Sequence, residues 1–180
     1  MRQSPIRYTP PMNAIILYIT LFVFGTKGFQ VGLSDRLCAS NEKIIISFKS
    51  ASKKKSISLC ADTSGKYLVY RFGTKEHVEL QYPSKLDATS WKKFHYKGQW
   101  RFGGKENAGF GDLEIRFTNI DTQYKIFEDW NDEDNSKETG LEYEAAHTKA
   151  RRLVIDNASV VGSLMRLNDY TEIENESLEQ

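Results

Sequence analysis

The chain has 180 residues, with 25 basic against 24 acidic side chains and a formal net charge of +1. That balance excludes the strongly basic stripe by which nucleic-acid binders are read. Two cysteines, with no histidine beside them and no second pair, cannot complete a tetrahedral metal shell.

In chain order, the first feature is an apolar run without charge at residues 13–24, preceded by Arg2 and Arg7. A positive start, a short apolar stretch and small residues beyond it form the pattern of a signal peptide. The run is too short for a membrane span, which needs about 20 apolar residues. Residues 1–28 are therefore expected to form a signal helix, with cleavage after Gly28, although Lys27 sits where such sites are normally uncharged. A buried core helix and an uncleaved anchor are the alternatives. Removing residues 1–28 takes away Arg2, Arg7 and Lys27 and no acid, leaving 22 basic against 24 acidic side chains. The roughly 150 residues that remain suffice for one core, and a single β-rich domain is expected over residues 29–168.

Cys38 and Cys60 come next. In an oxidising compartment they are expected to pair and to stabilise the fold by about 3 kcal/mol through closure of a loop of about 22 residues; two buried thiols are the alternative.

Period-two alternation then recurs in short runs, the pattern of half-buried strands. Ile44, Ile46 and Phe48 alternate with Ile45, Ser47 and Lys49; Ile57 and Leu59 alternate with serines; Lys53, Lys54 and Lys55 lie at the turn between, solvated. Residues 67–72 are rich in aromatic and β-branched side chains. Val78, Leu80 and Tyr82 alternate until Pro83 ends the strand. Residues 91–102 read as one long strand or bent hairpin, since Phe94, Tyr96, Trp100 and Phe102 share a parity. Leu113, Ile115 and Phe117 continue the meander, followed by Tyr124, Ile126 and Trp130, then residues 141–145 and 152–155. Residues 159–168 suggest a short helix interrupted by Gly162, and residues 169–180 a disordered acidic tail. The fold class expected is all-β and mainly antiparallel, a β-sandwich or barrel-like meander with a short C-terminal helix.

Motifs that would carry chemistry are few. The glycine-dense stretch 103–111 lacks the Gly-Lys-Ser/Thr ending of a phosphate loop and runs into a strand; its glycines are expected to serve turns with positive φ. Glu128, Asp129, Asp132, Glu133 and Asp134 fail the calcium-loop spacing, because Asp134 stands where glycine belongs and Gly140 where glutamate belongs. They read as a solvated hairpin tip. His77, His95 and His147 are isolated, and no nucleophile or metalloprotease motif is present. Trp91, Trp100 and Trp130 exceed a minimal core, and Trp100-Arg101 beside a glycine-rich loop suits an interface anchor.

The segments Leu59-Cys60-Ala61, Tyr70-Arg71-Phe72-Gly73, Glu79-Leu80-Gln81-Tyr82-Pro83, Gly103-Gly104 with Asn107 and Gly109, and Gly162-Ser163-Leu164 together resemble a group of exported bacterial proteins without assigned activity. The similarity runs from Cys38 to Leu167 and implies compartment and β-rich class, with no catalytic residues to carry over. The expectation is a secreted or periplasmic, non-catalytic binding module. It takes a protein or glycan through Trp91, Trp100, Arg101, Lys105 and Asn107, without cofactor, metal or nucleic acid, and meets a membrane only through an uncleaved N-terminus. The alternatives are an extracytoplasmic hydrolase and a membrane-anchored structural accessory protein.

Overall fold

Short alternating runs separated by turn residues should pair with their sequence neighbours, and they do. The structure, a computed structural model, describes residues 36–178; the expected signal segment 1–28 lies outside them. Strands β1 (Glu42–Ser50), β2 (Ser56–Asp62), β3 (Leu68–Gly73) and β4 (Val78–Tyr82) form one meander. A second comprises β5 (His95–Arg101), β6 (Phe110–Asn119), β7 (Thr122–Asn131), β8 (Ser136–Ala145) and β9 (Arg151–Leu153). Strand β10 (Ile155–Gly162) then returns to the first sheet beside β1. Two five-stranded antiparallel sheets result, in the orders β10-β1-β2-β3-β4 and β5-β6-β7-β8-β9. The all-β expectation is met as a sandwich-like fold.

The inward faces share one core. Ile46, Phe48, Leu59 and Tyr70 from the first sheet meet Tyr96, Leu113, Ile115 and Phe117 from the second. Phe117 is central: Tyr82 stacks on it at 4.6 Å between ring centroids, Tyr124 at 4.9 Å, and Tyr70 tilts against it at 4.8 Å. Such pairs add about 0.5–1.5 kcal/mol each beyond their buried area.

Four local readings of the sequence are corrected. Ile44, Ile46 and Phe48 do not keep one face, because the β1–β2 register slips between Ile44 and Ile46. Ile45 is the extra residue of a β-bulge, and both Ile45 and Ile46 are buried. Residues 91–102 are not one strand: Asp87 caps a 3-10 helix (Ala88–Lys93) by accepting from Thr89 N at 2.9 Å, and β5 starts only at His95. Trp91 lies three residues before Phe94, a helical rather than an extended spacing.

Residues 159–168 divide between the end of β10 and a 3-10 helix (Leu164–Asp169) that buries Leu164 and Leu167. Gly162 divides them. Its φ is +87°, and a Cβ there would stand 2.1 Å from the Ile45 carbonyl oxygen. Finally, the acidic tail is placed as far as Leu178. Asn175 bridges to Tyr96 on β5, donating to Gly98 O and accepting from Gly98 N at 2.9 Å each, so side-chain hydrogen bonds hold a segment whose composition reads as disordered.

Candidate functional site

On β5 the even positions Tyr96, Gly98 and Trp100 face the core, and the odd positions His95, Lys97, Gln99 and Arg101 face outward. The alternation decides the fate of the expected binding residues. Trp91 is 1% exposed, donates from Nε1 to Gly65 O at 2.9 Å and packs on Tyr170, so it plugs the sandwich end and offers no surface to a partner. Trp100 is half-buried against the core. Arg101, Lys105 and Asn107 are exposed. Three of the five residues therefore face solvent together, Arg101 at the end of β5 and Lys105 and Asn107 on the connection to β6.

That connection has built-in order. Arg101 donates from Nη2 to Ala108 O at 2.9 Å, and its guanidinium lies over the Phe110 ring at 5.3 Å. Gly104 N donates to Asn107 O at 2.8 Å and closes the turn. Two aromatic rings flank it: Phe102, which its parity with Tyr96 and Trp100 would place on the apolar face of a strand, lies past the end of β5 and is 71% exposed, and Phe110 is 36% exposed. A detectable signal existed, since Phe102 and Phe110 bound the glycine-rich stretch. The glycines themselves act otherwise than expected. Among described glycines, positive φ occurs at Gly65, Gly73 and Gly162, none of them in this loop. Gly109 is needed for close approach, as a Cβ would fall 2.4 Å from Asp132 Oδ2 and 2.6 Å from Gly103 N.

A second constellation lies on the outer face of the first sheet. Glu42 has a fully buried side chain and forms a two-pronged pair with Arg71, at 2.6 Å from Nη1 to Oε2 and 2.9 Å from Nη2 to Oε1. Ala39 N and the Tyr67 hydroxyl also donate to it, at 2.7 and 3.0 Å. Burial pushes the Glu42 carboxyl up, but the Arg71 guanidinium and these donors outweigh it and hold the pKa below the usual carboxylate range. Cys38 and Cys60 are joined as a disulfide beside this pair. With both sulfurs bonded and both Glu42 oxygens taken, the trio is a clamp holding residues 36–41 over the sheet. Neither Glu42 nor Arg71 stands out in sequence, where each is one charged residue in an alternating run.

The remaining titratable groups are dispersed. His77 and His147 are exposed in turns, and His95 is exposed on β5 with Nδ1 2.9 Å from Glu176 Oε1. The three thus lie on separate elements. Of the acidic cluster, Asp132, Glu133 and Asp134 occupy the β7–β8 tip as expected, whereas Glu128 is buried and accepts from Ser163 Oγ at 2.7 Å and Leu164 N at 2.9 Å. Asp129, paired across strands with Asp112 and Glu138, has its carboxyl raised by burial first and by those two carboxylates next.

The disulfide points to an oxidising compartment outside the cytoplasm, and among the described residues no helix is long and apolar enough to cross a membrane. Comparison of the chain with protein-family models, with curated proteins and with solved structures finds no match.

Proposed function

We propose that this is an exported, non-catalytic recognition module that engages a partner protein through the β5–β6 connection. The observation that carries the reading is the juxtaposition of Phe102, Lys105 and Asn107, exposed on the β5–β6 loop, with Phe110 under the Arg101 guanidinium at the strand ends that bound it. Aromatic and arginine side chains dominate binding energy where a partner desolvates them. A protein is favoured over a glycan because stacking on a sugar needs a free aromatic platform. Here one face of Phe110 carries a guanidinium, and Trp91 and Trp100 turn inward. The uncharged run at residues 13–24 behind Arg2 and Arg7, together with the disulfide, supports export.

The test is affinity capture from the extracytoplasmic fraction of the source cell, comparing the wild type with Arg101→Ala/Phe102→Ala by quantitative mass spectrometry. Both changes are at exposed positions, so the fold should be unaffected by circular dichroism. At least one protein retained by the wild type is expected to fall about ten-fold or more on the variant, since a hot-spot loss of about 2 kcal/mol exceeds a factor of ten. Identical retention profiles would remove the loop from the recognition surface.

A further inference from the structure

At the open end of the core, Tyr70, Phe72 and Leu80 from the first sheet and Tyr124, Leu141 and Leu153 from the second line a half-open cleft of about 310 Å³. An engineered cavity of roughly 150 Å³ lined by aliphatic and aromatic side chains already takes up benzene, so the space matches a molecule of about two rings. Its walls are mostly apolar, although Tyr143 and Glu79 also line it.

One polar feature breaks that uniformity. The Tyr70 hydroxyl is buried and has no hydrogen-bond partner among the described residues, although the side chain itself is fully enclosed. Leaving such a group unsatisfied costs about 1–3 kcal/mol, and native interiors seldom tolerate it without a reason. Burial, with Tyr124 beside it, drives the phenol pKa well above its ordinary value, so the group stays a neutral donor. Glu79 also lines the cavity and is paired with Lys55; its carboxylate disfavours an anionic guest.

From the buried, unpartnered hydroxyl of Tyr70, a residue that lines a mostly apolar cleft of two-ring size, we infer that the sandwich binds a small uncharged aromatic or alicyclic molecule with one hydrogen-bond acceptor. The apolar body fills the space between the sheets and the acceptor takes the Tyr70 proton. Because the hydroxyl has no accessible surface in the free protein, the guest reaches it as neighbouring side chains of the cleft move. This site is separate from the β5–β6 loop, and its ligand is independent of any protein partner there.

The experiment uses the full chain with naphthol and naphthalene as probes, followed by isothermal titration calorimetry and naphthol fluorescence. Naphthol should bind about five-fold more tightly than naphthalene, the ratio that a net hydrogen bond of about 1 kcal/mol supplies. In Tyr70→Phe the two probes should bind equally, with naphthalene affinity retained and the melting temperature at or above that of the wild type, since the substitution removes only the unsatisfied group. Leu153→Trp and, as an independent filling variant, Leu80→Trp should abolish uptake of both probes. Failure of the wild type to bind either probe, undiminished binding in folded Leu153→Trp and Leu80→Trp, or a naphthol preference that survives Tyr70→Phe would each overturn the assignment. A lower melting temperature for Tyr70→Phe would also count against it, because the hydroxyl would then be satisfied within the free protein.

Discussion

A carboxylate withdrawn from water must recover from the protein what it loses in hydration. Glu42 recovers it from Arg71, Ala39 N–H and Tyr67, with both oxygens engaged. Removing one member of a buried pair leaves the other uncompensated, at about 3–5 kcal/mol. Glu42→Gln keeps one acceptor oxygen, so a loss near the lower end, about 3 kcal/mol, is expected in urea unfolding. The pH dependence has a definite sign. Because the folded-state pKa lies below the ordinary carboxyl value of 4.5, the unfolded chain takes up this proton first on acidification. The contribution is complete above that value and is lost as pH falls through the folded-state pKa. The gap between wild type and Glu42→Gln should therefore be widest above pH 4.5 and close below it; a gap independent of pH would assign the loss to packing. Asp129 runs the other way, since burial, Asp112 and Glu138 raise its carboxyl and the folded state gains from its protonation.

At the level of elements, the strand order depends on the meeting of β1 with β10 at the bulge. The Ile45 carbonyl accepts from Ser163 N at 2.9 Å, directly beneath Gly162. A side chain at position 162 would meet both a left-handed backbone and that oxygen, so Gly162→Ala is expected to cost at least about 2 kcal/mol. Gly104→Ala is the control: a Cβ there meets nothing within 4 Å, and its effect in the same denaturation series should stay within about 0.5 kcal/mol. Equal losses would contradict the close-approach account. This junction also marks where the sequence stops being legible. Alternation at Ile57, Leu59, Leu80, Tyr82, Leu113, Ile115 and Phe117 locates strands because each has one apolar face. A bulge leaves no such trace, as Ile44, Ile45 and Ile46 are all apolar and any register fits them. Strand β2 misleads differently. All its residues are buried, since residues 36–41 cover its outer face, where Leu37 N donates to Ser58 Oγ at 3.2 Å. The binding loop was partly legible because glycine, arginine and aromatic residues coincide there. The Tyr70 cavity was not, since a strand tyrosine reads as ordinary core until its hydroxyl is followed.

Across the whole molecule, the segment ahead of β1 is fastened to the first sheet in two chemically different ways. The Cys38–Cys60 bond closes a loop with a sequence separation of 22 residues, worth about 3 kcal/mol by its constraint on the unfolded chain. The Glu42–Arg71 pair reaches the same segment through Ala39 N, which donates to Glu42, and Leu37 O, which accepts from Arg71 Nη1 at 3.0 Å. These contacts flank Cys38 on both sides, so neither fastening is independent of the other. Without the disulfide, residues 36–41 are free to lift, water reaches Glu42, and its substitution should matter less. The Cys38→Ala/Cys60→Ala variant is accordingly expected to lose about 3 kcal/mol in a Glu42 background. In a Glu42→Gln background it should lose less, with a coupling of about 0.5–3 kcal/mol, the range found for residues that share partners. Urea unfolding of the four variants in the cycle measures that coupling directly. Strict additivity would mean that the segment stays seated on the sheet without its disulfide, and that the ion pair alone is enough to hold it.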